Sequence, residues 1–248
     1  MSRLLLLPAQ TVPPDAPLTR RHAPRPIQLD YTVFRECLRW EFGFTCAICL
    51  LHERDIIPYG VEGWGVTQVE HLVPRSLDSS LVGIYSNLLY ICRFCNTARS
   101  DTDSCDHQGR CLLDPTTDAW ADHFHLRGDE LVPHHGDRDA EYTLDTYNIN
   151  DPRKVKLRRK RREHVIDWSS LVRSRQYDIS RIIDDMQRGT VEFTNSLSQA
   201  RADLAALYRQ SPGQWVPDDA PNDCRCGRLS ARSLPEPYLR QVVEVDVP

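Results

Sequence analysis

Cys46-Ala47-Ile48-Cys49 and Cys92-Arg93-Phe94-Cys95 are the two stretches that decide the fold of this chain, and 42 residues lie between them. Each has the C-x2-C spacing, and together they supply four thiolates, the number that a tetrahedral zinc ion needs. We therefore predict one structural zinc site made of these four cysteines. Such pairs are usually about 15 to 20 residues apart, so the segment between them should be a structured excursion. The alternative is that some of these cysteines are ordinary buried side chains.

The excursion carries polar residues that suit phosphodiester hydrolysis. This reaction needs a base that activates water and a cation that stabilises the charge developing on the phosphoryl oxygens. His71 has an ordinary pKa of about 6.5, so it can be neutral near pH 7 and accept a proton. Glu70 and Asn96 offer oxygen ligands of the kind that Mg²⁺ or Mn²⁺ prefers.

The same stretch resembles the HNH endonuclease family, in its bacterial, four-cysteine zinc-containing form. The resemblance rests on Glu70-His71 with Pro74 and Ser76, on Asn87-Leu88, and on Cys95-Asn96 after the second cysteine pair. It implies an α+β fold with a ββα-metal, treble-clef-like core, clamped by the four-cysteine zinc and followed by an appended helical region. More weakly, the resemblance extends from about residue 31 to about residue 165.

The resemblance also implies a role for each residue of the motif. His71 would be the general base, Asn87 would orient that histidine, and Asn96 would bind the catalytic metal together with Glu70. The sequence departs from the family pattern at three places: Glu70 replaces a more frequent Asp, Asn96 replaces the last His, and Arg99 replaces a common Lys. None of these changes removes a needed chemical group.

Composition indicates a protein that meets nucleic acid only locally. The 248 residues are 40% hydrophobic and 27% charged with a net charge of -4, which is ordinary for one or two globular domains and excludes a uniformly basic coat protein. The four leucines Leu4 to Leu7 are too few for a signal peptide or a membrane span. Paired cysteines favour a reducing compartment, so we expect a cytoplasmic protein with no membrane contact.

A basic helix should follow the nuclease-like stretch. Asp151-Pro152 is a typical helix start, and residues 153 to 163 contain eight basic side chains and one acidic, a local charge of +7. We predict contacts with the DNA backbone, although a solvated helix or a site for an acidic partner protein remains the alternative. The predicted contact residues are Arg99, Arg153, Lys154, Lys156, Arg158, Arg159, Lys160, Arg161 and Arg162.

We divide the chain into four parts. Residues 1–30 form a proline-rich extension, 31–165 the nuclease domain including the start of the basic helix, 166–210 a helical hairpin, and 211–248 a proline-rich tail. Within them we expect helices at 31–41, near Cys95 and from Pro152, and strands at 66–73 and 242–247. Leu4 to Leu7 should form either a short edge strand or a docking segment. The hairpin could pack on the core, dimerise the chain or dock a partner protein.

A second metal site is left open by the sequence. Cys105, His107 and Cys111 could combine with Cys224 and Cys226, but the ligand set is irregular. His123, His125, His134 and His135 are interpreted as surface or packing residues.

The sequence thus predicts a divalent-metal-dependent endonuclease acting on DNA. Two alternatives stay open: a zinc-knuckle module that binds nucleic acid without cutting it, and a nuclease subunit of an antiviral (phage-defence) complex that a partner such as an ATPase activates. Strand number, sequence or modification specificity and the extent of cutting are not encoded in any recognisable motif.

Overall fold

The computed structural model describes residues 2–7, 16–18, 20, 30–56, 67–188, 194–209 and 241–246. These residues belong to two compact units. The larger unit contains residues 16–18, 20, 30–56 and 67–159, and the smaller unit contains 2–7, 160–188, 194–209 and 241–246. The predictions for residues 211–240, including Cys224 and Cys226, lie outside the described residues.

Six strands and seven helices form the regular structure of the described residues. The strands are β1 (Ser2–Leu7), β2 (Thr67–His71), β3 (Leu88–Cys92), β4 (Phe124–Arg127), β5 (Glu130–Pro133) and β6 (Gln241–Asp246). The helices are α1 (Arg35–Glu41), α2 (Glu53–Ile56), α3 (Arg93–Arg99), α4 (Trp120–His123), α5 (Arg138–Thr146), α6 (Pro152–Gln187) and α7 (Thr194–Arg209). Short 3-10 helices at Tyr31–Phe34, Ser79–Leu81 and Tyr85–Asn87 complete the set.

The first predicted helix is confirmed. Asp30 accepts a hydrogen bond from the backbone N–H of Thr32 at 3.1 Å, which caps the 3-10 turn that leads into α1. Leu38 and Trp40 on α1 are buried, so this helix forms part of the hydrophobic core of the larger unit.

The centre of the larger unit is a β-hairpin followed by a helix. Strands β2 and β3 pair antiparallel, with Glu70 opposite Leu89 and His71 opposite Leu88. Every residue of β3 is buried, because this strand lies inside the core and therefore needs apolar side chains on both faces. Helix α3 begins directly after β3, with Cys92 as its N-cap. The predicted strand and helix are confirmed, with Val66 outside the described residues.

The core cluster surrounds the four cysteines of the two pairs. Ile48, Leu51, Leu88 and Tyr90 are fully buried beside them. The indole N–H of Trp120 donates to the carbonyl of Ile48 at 3.0 Å, which satisfies its polar atom inside the core. The predicted α+β class is confirmed, since helices and three small antiparallel sheets share the chain.

The smaller unit joins the two ends of the described chain. Strands β1 and β6 pair antiparallel, from Ser2 opposite Asp246 to Leu7 opposite Gln241, so the strands predicted near both termini form one sheet. Helix α6 is continuous over 36 residues, and the predicted boundary at residue 165 falls inside it. Among the described helices, none combines the length and the apolar composition that crossing a membrane requires.

Candidate functional site

The four cysteines of the two C-x2-C pairs form one buried cluster. Their sulfur atoms all lie within 4.8 Å of one another, none is in a disulfide, and Sγ of Cys49 lies 3.6 Å from Sγ of Cys92. Four ligands about 2.3 Å from a tetrahedral zinc ion would be about 3.8 Å apart. The cluster therefore fits a metal ion such as zinc.

Backbone geometry explains why each pair presents its sulfurs together. The N–H of Cys49 donates to Sγ of Cys46 at 3.5 Å, and the N–H of Cys95 donates to Sγ of Cys92 at 3.4 Å. Such bonds stabilise thiolate charge and fix its direction. The two pairs are tied together where the N–H of Ala47 donates to the carbonyl of Tyr90 at 2.9 Å.

Glu70 and Asn96 lie at the same interface, between β2 and α3. Alternate residues of a strand share a face, so Glu70 and Gln68 project together towards α3. The side-chain amide of Asn96 donates to Oε1 of Gln68, and Arg99, one helical turn further along, donates to Oε1 of Glu70 at 2.6 Å. Gln68 was missed in the sequence, although its i, i+2 spacing from Glu70 could have indicated it.

Arg99 is an internal partner of Glu70. Its side chain is fully buried and also donates to the carbonyls of His71 and, at 2.8 Å, of Leu72. Burial raises the pKa of Glu70, and the charge and hydrogen bond of Arg99 only partly oppose that shift. The guanidinium thus holds the end of β2 and neutralises the carboxylate from within the protein.

His71 has one nitrogen engaged and one with an available lone pair. Its Nε2 lies 3.2 Å from the carbonyl oxygen of Val82, and because a carbonyl can only accept, Nε2 must carry the proton. Nδ1 is then the basic nitrogen of the neutral ring. The edge-on ring of Tyr31 covers the imidazole at a centroid distance of 4.5 Å, and burial lowers the pKa of His71. A neutral imidazole at pH 7 can act as a proton acceptor.

Asn87 holds the loop that supplies the partner of His71. Its Oδ1 accepts from the N–H of Val73 at 2.8 Å, and its Nδ2 donates to the carbonyls of Val73 at 3.2 Å and Leu81 at 3.3 Å. Leu81 directly precedes Val82, whose carbonyl contacts His71. The side-chain hydrogen bonds of Asn87 go to the backbone of Val73 and Leu81 and not to His71. Asn87 therefore influences the histidine through the position of the loop.

Two further residues at this site carried no motif in the sequence. Tyr31 was predicted only as the first residue of the helix at 31–41, yet its ring contacts His71. Arg75 is exposed, and its charge acts on both Glu70 and His71. Tyr31 lies 40 residues before His71 in the sequence, so no local pattern indicates their contact. Arg75 lies only four residues after His71, and its charge was a local signal.

The predicted DNA-backbone residues divide into two groups. Lys154, Arg161 and Arg99 are 1%, 5% and 0% exposed, and Arg158 is half-buried and donates to the carbonyls of Asp129 and Ile149. The other predicted contact residues, all on α6, are exposed: Arg153, Lys156, Arg159, Lys160 and Arg162. Only this second group presents its charge to solvent.

The candidate second metal site is not assembled. Cys105 and Cys111 form a disulfide with each other, so neither sulfur is available to a metal in this structure. We had not predicted this disulfide, because we expected the cysteines to be reduced. His107 is exposed on the loop that the disulfide closes.

Of the four histidines interpreted as surface or packing residues, three contact other groups of the protein and His135 is exposed. His123 Nδ1 lies 2.7 Å from Asp137 Oδ2, and His134 Nε2 donates to the carbonyl of Ala121 at 3.0 Å. The rings of His125 and His134 stack at 5.3 Å. In the part of the chain that the structure describes, none of these histidines joins a close group of three metal-binding side chains.

Comparison of the chain with protein-family models, with curated proteins and with solved structures found no match.

Proposed function

We propose that this chain is a divalent-metal-dependent endonuclease of the HNH type, which hydrolyses phosphodiester bonds of DNA with His71 as the general base. The proposal rests on the hydrogen bonding and the protonation state of the His71 imidazole. The imidazole is held by Val82 through Nε2 with Nδ1 left basic, and burial lowers its pKa. It stands at the end of a hairpin strand, next to a carboxylate, in a β-β-α arrangement.

In this proposal Nδ1 of His71 takes a proton from the attacking water. Glu70 and Asn96 are the residues that would hold Mg²⁺ or Mn²⁺, since both offer side-chain oxygens at the β2–α3 interface. A bound divalent cation would stabilise the charge that develops on the phosphoryl oxygens. The four-cysteine cluster would hold Zn²⁺ as a structural ion. Its four cysteines, none of which is in a disulfide, fit the reducing, cytoplasmic setting that we propose, whereas the Cys105–Cys111 disulfide does not favour it.

The DNA backbone would be held by the exposed cations of α6. Lys156 and Lys160 are four residues apart on one helix and therefore share a face. Arg153 leans over the ring of Phe94 on α3, with 5.1 Å from guanidinium to ring centroid, which brings this end of the basic helix next to the β-β-α core. The surface does not include Arg99, Lys154, Arg158 and Arg161, which are buried or half-buried.

Cleavage of supercoiled plasmid tests the proposal. The purified protein, loaded with Zn²⁺ and supplied with Mg²⁺ or Mn²⁺, should nick or linearise the DNA, and EDTA or His71→Ala should abolish this. His107→Ala is the matched control, because that histidine is exposed on a separate loop. Equal cleavage by wild type and His71→Ala would contradict the proposal.

A non-catalytic nucleic-acid-binding module is the second candidate, and two contacts favour it. Arg99 already neutralises Glu70 at 2.6 Å, and Asn96 is bonded to Gln68, so both metal-ligand candidates are engaged by protein groups. A wild-type protein that binds DNA in a salt-dependent way but never cuts it, alone or with other proteins, would support this candidate.

We also propose, as a third candidate, that this chain is the nuclease subunit of a larger antiviral complex. Large apolar side chains on α6 are exposed, among them Leu171 at 56% and Tyr177 at 68%, and such surfaces often serve association. Cleavage that appears only with a co-purifying partner such as an ATPase, or dimerisation of the chain through α6 and α7, would separate this reading from the first two.

A further inference from the structure

Lys154 is a buried cation whose amino group faces the cysteine cluster. The side chain is 1% exposed, and Nζ donates to Sγ of Cys95 at 3.3 Å, to the carbonyl of Tyr147 at 2.7 Å and to that of Asn148 at 3.0 Å. An ammonium group has three N–H donors, so each has an acceptor. The hydrogen-bonding capacity of this group is fully used inside the protein.

Charge explains why a lysine is tolerated at this position. A buried ammonium is strongly unfavourable unless an anion lies close by. Among the described residues, two of its three hydrogen-bond partners are neutral carbonyls, and the third is the sulfur of Cys95, which is an anion when it binds a metal ion.

A metal ion does not remove this negative charge. Four thiolates around one divalent ion carry a net charge of about -2, and in a site walled by apolar side chains that charge needs a nearby cation. Lys154 supplies one.

We propose that Lys154 is a positioning residue of the metal centre: its ammonium compensates the charge of the Cys95 thiolate, slows loss of the metal and fastens the start of α6 to the centre. This proposal does not depend on nuclease activity. It also assigns the side chain a role that excludes contact with a DNA phosphate.

The backbone before α6 is shaped for this contact. Asn148 has φ +45°, a left-handed conformation that favours Asn among ordinary residues, and it forms the turn between α5 and α6. The carbonyls of Tyr147 and Asn148 in this turn both accept from Nζ. Lys154 thus joins three segments of the chain, namely α3, the turn and α6.

Metal release to an excess of a colorimetric chelator tests the role. We compare the zinc-loaded wild type with Lys154→Met, which keeps length but loses charge, with Lys154→Arg, and with Lys156→Met as the matched control on the exposed side of the same helix. Residues that support metal ligands typically contribute about 10- to 100-fold in metal affinity. Lys154→Met should release zinc about 10-fold faster or more, Lys154→Arg should lie between it and wild type, and Lys156→Met should match wild type.

A measurement on the wild-type chain keeps the proposal testable if Lys154→Met does not fold. In the zinc-loaded protein, the Lys154 ammonium protons should exchange slowly with water and give a resolved NMR signal that disappears on chelation. Release of zinc by Lys154→Met at the wild-type rate, or a Lys154 ammonium signal in the loaded protein that exchanges as fast as those of Lys156 and Lys160, would overturn the proposal.

Discussion

His71 donates its Nε2–H to the carbonyl oxygen of Val82 across 3.2 Å. This single contact decides which nitrogen of the ring is basic, because a carbonyl has no proton to give. It also ties the histidine at the end of β2 to a loop that lies 11 residues further along the chain. The chemistry available to His71 therefore depends on where that loop is held.

The tautomer of His71 can be measured directly. Nitrogen-15 NMR of the imidazole at pH 7 should show a neutral ring with the proton on Nε2, and the ring should stay neutral below the ordinary pKa of about 6.5 because burial lowers its pKa. His107, exposed on a separate loop, serves as the reference in the same spectra. A charged ring at pH 7, or a proton on Nδ1, would contradict the assignment of Nδ1 as base.

Asn87→Ala should affect both stability and the histidine. The substitution removes three hydrogen bonds and leaves part-buried backbone groups of Val73 without their partner, so we expect a loss of about 1–3 kcal/mol in the free energy of unfolding. The loop that carries Val82 should also shift. Urea unfolding measures the first effect, and the His71 NMR signal measures the second.

Asn87→Asp provides the control for that experiment. It keeps an oxygen that can accept from the N–H of Val73 but loses the N–H donors to Val73 and Leu81. An intermediate loss of stability with an altered His71 signal would match the proposed role of the loop. An unchanged signal in both variants would show that Asn87 does not orient the histidine.

The cysteine frame could be predicted because its chemistry is local and restrictive: two C-x2-C pairs have few uses other than binding one metal. Strand β2 and helix α3 could be predicted from local residue patterns, whereas strand β3 was expected only through the family resemblance. The partner of His71 could not, because no periodic pattern reports which loop carbonyl returns to a strand end. The Cys105–Cys111 disulfide was equally hidden, since pairing does not follow from cysteine spacing alone.

The inward cations of α6 illustrate a signal that was present but outweighed by composition. Lys154 and Arg161 fall at the helical spacing of Leu157, Val165, Trp168 and Val172, all of which are buried. The helical periodicity therefore predicts that two of these charges lie on the apolar face of the helix. The prediction from the local charge of +7 instead placed all eight basic side chains on the surface. What the sequence does not reveal is the acceptor that each buried cation finds, because those acceptors are remote in the chain.

Arg99→Met should leave the Glu70 carboxylate partly buried without its cation. Removing one member of a buried pair costs about 3–5 kcal/mol, and since the Glu70 side chain is 16% exposed we expect a value of about 3 kcal/mol. Urea unfolding of Arg99→Met, Glu70→Gln and the double variant forms a double-mutant cycle. The double variant should be more stable than Arg99→Met. Strict additivity of the two losses would argue against coupling between these side chains.

Asp151 should contribute stability that depends on pH in a defined direction. Its Oδ1 accepts from the backbone N–H of Arg153 at 2.8 Å, and hydrogen bonds from the Arg153 side chain and backbone lower its pKa to about 2. Because the pKa of Asp151 is lower in the folded than in the unfolded protein, its charged form stabilises the folded state at every pH above the ordinary carboxyl pKa of about 3.9. That contribution is lost as the pH falls from about 4 towards 2.

Asp151→Ala measures this contribution, because the loss of a helix cap costs about 1 kcal/mol. The variant should be less stable than wild type at pH 7, and the difference should shrink as the pH falls below 4. Carboxyl NMR should give a pKa for Asp151 well below its ordinary value. A stability difference that stays constant down to the acid transition would contradict a role for the charged form.

The exposed side of α6 should determine the salt dependence of DNA binding. Each phosphate that a cation neutralises releases counterions, so log K falls with log salt by about 0.9 for each contact. Lys156 and Lys160 are exposed and share one helix face, so replacing both by Ala should weaken binding and reduce the slope by about 1.8. Arg127→Ala is the matched control, because its side chain is 74% exposed on β4. Fluorescence anisotropy with one duplex at several salt concentrations gives each slope. If the double variant and the control have the wild-type slope, the phosphate contacts lie elsewhere, since a surface that neutralises phosphates cannot lose two charges without changing the number of counterions released.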